Sequence, residues 1–445
     1  MTIVYGILGQ GLIVFIHELG HFIAARFCGV KVESFSIGMG PVLLHKTIGD
    51  TDYRLSLIPL GGYCGMKGQK DLDFSKDDIP QEDLEKDSFY GVNPLKRIVI
   101  AFFGPFFNLV FACLAYSIIA MTGYTFYTTE SRVVMADEIY PDIYSAASTA
   151  GLKSGDKIIR INDKEIKYFS DISSFVALHP DEKLDVTVLR NNETLNFDVK
   201  STMDKDTGAG KIGVMNFVDP VIKDIQNDSA ALKAGLYKND RILKCDGVDI
   251  NSVAELQREM AGKESVELLV QHENTMNTIN LPVVENLGIS FNYLTVESDR
   301  YSFFPAIFQG IKETGSTFAL TIKSLGLLFK GINLTKAVSG PLRITVMLGD
   351  TAKEGFTESF RTGLVSVLNF LALISISLFI MNLLPIPILD GSIILFSIIE
   401  MLIKRPIPKK VYYYVQIIGI AFIGMLFVIA MFGDVSYIVN LWRNR

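Results

Sequence analysis

Cysteine is scarce in this chain. The four present, Cys28, Cys64, Cys113 and Cys245, are scattered and form no metal-spaced pair, which excludes a thiolate zinc site of the ribbon or finger kind. Only Cys245 falls in the long polar stretch, so no structural disulfide is expected. Positive charge is not in excess either. Lys and Arg number 42 against 48 Asp and Glu, a net charge of −6, so nucleic acid finds no electrostatic footprint. Histidine is rare, with five in 445 residues, so two of them four apart stand out. Apolar residues are plentiful: the chain is 49% hydrophobic with mean hydropathy +0.32, high for a soluble protein of this size.

That apolar content is concentrated in four runs long enough to span a bilayer, at about 3–27, 98–121, 364–384 and 412–432. The first has no basic residues ahead of it and no cleavage-site pattern, so it is not expected to be a removable signal peptide. Arg26, Lys31, Lys96 and Arg97 flank the loop after span one, and Lys404, Arg405, Lys409 and Lys410 lie between spans three and four. Both loops, 28–96 and 385–411, are therefore expected on the cytoplasmic side, and the segment from Gly123 to Thr362 outside. Arg443 and Arg445 argue weakly against this orientation. Tyr412, Tyr413, Tyr414, Tyr437 and Trp442 suit interfacial aromatic belts.

Inside the first span lies Phe15-Ile16-His17-Glu18-Leu19-Gly20-His21. Residues four apart share a helix face, so His17 and His21 point two imidazoles at one ion. Glu18 is placed to take a proton from water on that ion. Ionisable groups within a span are costly and mark function. Two ligands are too few for a catalytic zinc, which needs a third plus water.

The third ligand is found near the far end of the chain. The third span ends in Asn382-Leu383-Leu384-Pro385-Ile386-Pro387-Ile388-Leu389-Asp390-Gly391. Pro385 and Pro387 stop a regular helix, and broken backbone at membrane depth is tolerated only where it lines a cavity. Asp390, just past the break, needs a partner and completes a set of two histidines and one carboxylate with a position open for water. Asn382 either binds a substrate carbonyl or caps the broken helix.

Between these halves, Ser36 to Pro41 reads as a glycine-rich turn, and a hairpin at about 51–66 is expected to dip into the membrane boundary, an ordinary surface hairpin being the plainer alternative. The stretch from Asp71 to Asp87 reads as an acidic solvated loop. Asn108 follows Gly104-Pro105 in span two and is expected to serve helix packing rather than the active site. Ala150 to Asn162 is repeated at Ala234 to Asp246, each a turn feeding an alternating strand. The two copies resemble tandem PDZ domains at 131–203 and 211–291, which bind peptide C-termini by strand addition or act as spacers and guards. An apolar stripe at helical spacing from Phe304 to Ile332 reads as an amphipathic helix on the outer membrane face or against the repeats.

Taken together, the His17-to-His21 motif, Gly104 to Asn108, the two repeats, Ser339-Gly340-Pro341 and Asn382 to Gly391 give the whole chain a resemblance to the bacterial site-2 proteases, zinc intramembrane metalloproteases, and most to the sigma-E-pathway members with tandem PDZ domains. The resemblance implies a polytopic α-helical membrane protein of the bacterial inner membrane. It would have four transmembrane helices, a membrane-associated β-hairpin and two inserted periplasmic PDZ-like α+β domains. Residues 1–122 and 363–445 would form the protease core, joined through a helix and connector at 300–362. It implies one Zn2+ on His17, His21 and Asp390 with Glu18 catalytic, and substrate contacts from Asn382, Arg54, Leu55, Leu57, Gly61, Gly62 and Tyr63. The substrate implied is a single-span membrane protein already trimmed outside, such as an anti-sigma factor, or alternatively a remnant signal peptide. The alternative of another class is a non-catalytic membrane adaptor with structural zinc. Where the family pattern continues Asp-Gly-Gly, Ser392 follows Gly391 here, which leaves local backbone freedom as the open question.

Overall fold

A computed structural model describes residues 2–68, 85–273, 275–284, 286–291, 293–327 and 340–443. Most of the acidic stretch from Asp71, the end of the apolar stripe at Phe329 and Ile332, Ser339 and Arg445 lie outside the described residues, as do the side chains of Tyr437, Trp442 and Arg443. The described residues form two compact units: those up to Tyr124 together with those from Ser298 onward, and Thr125–Glu297.

Among the described residues of the first unit, four helices have the length and apolarity to cross a membrane. These are α1 (Thr2–Cys28), α2 (Pro94–Thr122), α10 (Phe360–Asn382) and most of α12 (Lys409–Arg443). Local chemistry sets their ends. Asn93 accepts a bond from the Leu95 N–H ahead of Pro94, and Gly123 closes α2 with φ of 64°. Ser359 caps α10 in the same way, and Pro385 follows its end. Their outward residues, such as Leu8, Leu114, Ile418 and Phe432, are exposed, as lipid-facing side chains must be.

α8 (Phe303–Leu327) packs along α2 and α10, with Gly310 against Cys113 and Ser117 and Phe318 against Phe379. The face that packs there is Ala306, Gly310, Thr314 and Phe318, whereas Phe304, Phe308, Ile311 and Ile322 of the expected stripe are exposed. α9 (Pro341–Glu358) lies on α1, where Gln10 bonds Pro341 and Thr345, and its start is capped from α12. The buried Asp434 carboxylate accepts the N–H groups of Gly340, Leu342 and Arg343 at 2.8–3.1 Å. A second buried charge closes the other end of the unit. Arg97 of α2 pairs with Glu400 of α11 (Asp390–Ile403), and Glu400 also accepts from Tyr412.

The sheet of this unit departs from expectation. β1 (Val32–Ile48) and β2 (Thr51–Met66) are two long bent ribbons, and Ser36 to Pro41 belongs to β1 rather than forming a turn. Segment 34–37 pairs on one side with 52–55 and on the other with 62–65, while 44–48 pairs with 51–55. The two halves of the expected hairpin therefore flank a third segment instead of pairing with each other. Positive φ at Gly38 (86°) and Gly61 (106°) lets each ribbon bend. Phe35, Cys64 and Met66 bury against Ala24, Ala25, Phe89 and Ile100, which locks the sheet to the ends of α1 and α2.

The second unit holds two lobes of like design. Their strands are β5 (Lys157–Ile161), β6 (Lys164–Glu165), β7 (Lys183–Arg190) and β8 (Glu193–Lys200), and β13 (Arg241–Cys245), β14 (Val248–Asp249), β15 (Ser265–His272) and β16 (Thr275–Pro282). Each lobe has a four-stranded sheet in the same order, β6-β5-β7-β8 and β14-β13-β15-β16. One helix covers each, α5 (Phe169–Ala177) and α7 (Val253–Met260). The repeated aspartate locks the repeated turn: Asp156 accepts the Lys153 N–H and pairs with Arg190, and Asp240 accepts the Tyr237 N–H and pairs with His272. The strand Val214–Asn216, expected in the second repeat, pairs with Val133–Met135 of the first, just as Ile289–Phe291 pairs with Ile222–Ile225. Thr125–Thr128 and Leu294–Glu297 pair where the chain enters and leaves the unit.

Candidate active site

Helix α1 carries His17, Glu18 and His21, and its close approach to α2 sets their position. A side chain at Gly20 would strike the Phe103 carbonyl, and one at Gly104 would strike the His21 ring. The two helices run antiparallel, so His17 and His21 face Asn108 and Gly104, each pair four residues apart. Pro105 follows the notch, and the nearby Ile100 carbonyl accepts a bond from His21 Nδ1 at 2.8 Å.

Asp390 enters from the other side. α10 ends at Asn382, and the chain turns back through Pro385 and Pro387 before α11 starts at Asp390. This return is tight: a Cβ at Gly391 would overlap the Leu383 and Leu384 carbonyls. Ile388 holds φ of 82°, a conformation that costs a β-branched residue about 1–3 kcal/mol and that clusters at functional sites. Ser392 replaces glycine without strain, its hydroxyl donating to the Leu389 carbonyl at 2.8 Å.

The three donors converge. His17 Nε2 lies 3.2 Å from Asp390 Oδ2, His21 Nε2 lies 3.3 Å from Asp390 Oδ1, and the two imidazole nitrogens are 3.2 Å apart. Tetrahedral zinc with ligands at about 2.0–2.1 Å places neighbouring donors about 3.3–3.4 Å apart. The observed triangle fits that ion. Among the described residues these three form the one cluster of His, Cys, Asp or Glu suited to a metal. Two imidazoles and a carboxylate gathered at this separation are the donor set of one divalent cation.

A cavity of about 290 Å3 opens beside the trio, lined also by Glu18, Tyr63, Phe89, Asn382 and Ile388. Cys64 lines it too, but burial first and then Glu18 push its thiol well above the usual cysteine range, so it stays a neutral packing group. The residues expected to touch substrate separate into groups. Tyr63 and Asn382 line the cavity, and Gly62 sits over Glu18, where a Cβ would stand 3.5 Å from Glu18 Cγ. Arg54 stands behind Tyr63, donating to its hydroxyl at 2.9 Å and to Asp52 at 2.7 Å. Leu55 and Leu57 are exposed and, like Gly61, do not line the cavity. Pro387 packs on Gly419 of α12, and Pro385 lies within the break. Asn108, expected to pack, is fully buried with its amide 3.4 Å from His17 Nδ1. The signal for this was present in the sequence: Gly104 and Asn108 repeat the four-residue spacing of the histidines they face. Phe89 and Ile388 carried no such signal.

Comparison with known proteins agrees with this geometry. The pattern of Peptidase family M50 matches residues 5–426. A protein of Treponema pallidum named a zinc metalloprotease is 40% identical over 99% of this chain and 100% of its own length. The regulator of sigma-E protease RseP of Escherichia coli is 30% identical over 97% of both chains, and the protease RseP of Yersinia pestis is 32% identical over 97% of both. The chain therefore belongs to peptidase family M50 and is a zinc-dependent metalloprotease of the membrane.

Proposed function

We propose that this chain cuts a peptide bond within the transmembrane segment of a single-span protein already shortened outside by another protease. The observation that carries this reading is the meeting of His17, His21 and Asp390 at 3.2–3.3 Å beside a cavity that Glu18 also lines. Zinc bound there supplies Lewis acidity and brings water toward a pKa of about 7. Glu18 takes the proton from the attacking water and returns it to the leaving amine. Asn382 offers its amide to the oxygen on which charge develops. A helical substrate hides its carbonyls in i to i−4 bonds and must unwind before attack. Segment 62–66 is an edge of the sheet and lies next to Glu18, so an unwound substrate adds there as a strand, held extended by backbone bonds.

In this reading the basic loops face the cytoplasm of a bacterial inner membrane and the two lobes face the periplasm. The lobes are PDZ-like domains that screen clients by the size of what remains outside. The relatives named for sigma E make anti-sigma factors the leading substrate class. Reconstitute the purified chain with a single-span substrate in liposomes and compare wild type with Glu18→Gln. Cleavage should vanish in the variant while one zinc stays bound. Cleavage by the variant at the wild-type rate would sink the proposal.

A further inference from the structure

We infer that Asn108 is a positioning residue for His17, the acceptor that fixes which ring nitrogen of His17 faces the metal. The inference rests on the zinc site proposed above. A histidine that ligates through Nε2 carries its proton on Nδ1, and that N–H needs an acceptor to hold the ring in place. For His21 the acceptor is the Ile100 carbonyl of α2, at 2.8 Å. For His17 the group in the same position is the Asn108 side-chain amide, 3.4 Å from Nδ1 and also on α2. Asn108 is 0% exposed, and among the described residues its Oδ1 has no hydrogen-bond partner. Oxygen and nitrogen of an amide are distinguished only by their hydrogen-bond partners. Turning the amide over brings the unpaired oxygen to the His17 N–H and moves the NH2 inward. One helix then holds both imidazoles by their outer nitrogens, through a backbone carbonyl and a side-chain one. The spacing of Gly104 and Asn108 serves both rings at once: the notch admits His21, and the amide one turn later meets His17.

A packing role and an acceptor role predict opposite tolerances at this position. Leucine matches asparagine in size but accepts nothing, whereas aspartate accepts more strongly and is costly to bury unless it has a donor. The test uses the full-length protein in detergent, with zinc affinity measured by competition against a chromophoric chelator. The absorption bands of the cobalt-substituted site give a second readout, independent of turnover. Asn108→Leu should lose about 10- to 100-fold in zinc affinity and shift the cobalt bands. Asn108→Asp should stay within about threefold of wild type, as a carboxylate–histidine–metal arrangement does. Asn108→Ala, which leaves a space rather than a misfit, should weaken zinc as leucine does and is read if the leucine variant does not fold. Wild-type affinity in the leucine or alanine variant, or loss confined to the aspartate variant, overturns the inference and leaves the zinc site standing. A wild type that binds no zinc, indistinguishable from His17→Ala, overturns the site and this inference with it.

Discussion

Replacing Gly104 with alanine adds one methyl group, and the site geometry sets its cost. That Cβ would stand 2.8 Å from His21 Cδ2 and closer still to Nε2 and Cε1, where ordinary contact begins at 3.4 Å. The ring must therefore retreat by about 0.6 Å at Cδ2, and by more at the ligating nitrogen. The helices cannot spread to make room, because Gly20 holds α1 against the Phe103 carbonyl one residue away. Nor can the ring swing freely, since Nδ1 is tied to Ile100. Overpacking of this kind costs about 1–3 kcal/mol, and displacing a catalytic group by about an ångström costs about 100-fold in rate. Gly104→Ala should thus lose about 100-fold in turnover and bind zinc more weakly while the chain stays folded. The control is Gly315→Ala in α8, where nothing among the described residues lies within 4 Å of the added carbon, and which should be neutral or stabilising by up to about 1 kcal/mol. Cleavage of a reconstituted single-span substrate, with zinc content measured on the same samples, decides it. Wild-type turnover in Gly104→Ala would refute the claim that this glycine makes room for His21.

Other outcomes follow from the same structure. Arg97 and Glu400 have side chains 3% and 5% exposed, so Arg97→Met should destabilise by about 3–5 kcal/mol, and Arg97→Met with Glu400→Leu should recover most of it; thermal unfolding in detergent measures both. Asp434→Ala removes the cap of α9 and should cost about 1–2 kcal/mol in the same assay. In the second lobe, the bond from Lys263 first and then the Glu267 N–H hold the Asp246 carboxyl below its ordinary value of 3.8. A lowered folded value means that this stability is present above the unfolded value and is lost as pH falls through the folded one. Asp246→Asn should therefore flatten the decline of the unfolding midpoint below about pH 4, and an unchanged slope would count against that pair.

Much of this architecture was legible in the sequence because its causes are local. Span lengths follow from apolar runs, the break after Asn382 from two prolines, and the histidine pair from helical spacing. A carboxylate just past broken backbone in a membrane had few roles open to it, so Asp390 could be singled out from its setting as the group that meets the histidines. What escaped was non-local. The sheet order could not be read because 34–37 sits between 52–55 and 62–65, and glycines that read as turn signals are bends within continuous ribbons. Val214–Asn216 looked like the start of the second repeat because pairing back to Val133–Met135 leaves no local mark. Asn108 read as packing although it shares the histidine spacing with Gly104, because that spacing points at His17 only once α1 and α2 are seen to run antiparallel. The docking of α9, through Asp434 and Gln10, joins residues more than ninety positions apart and carries no periodic signal.

The central claim is a single hydrolytic zinc on His17, His21 and Asp390, and back-titration of the stripped protein tests it most directly. Metal-free chain, given zinc in steps, should regain cleavage of a reconstituted transmembrane substrate linearly and saturate at one zinc per chain, with His21→Ala and Asp390→Asn regaining none over that range. Turnover by the metal-free chain, or wild-type recovery in either variant, would contradict it.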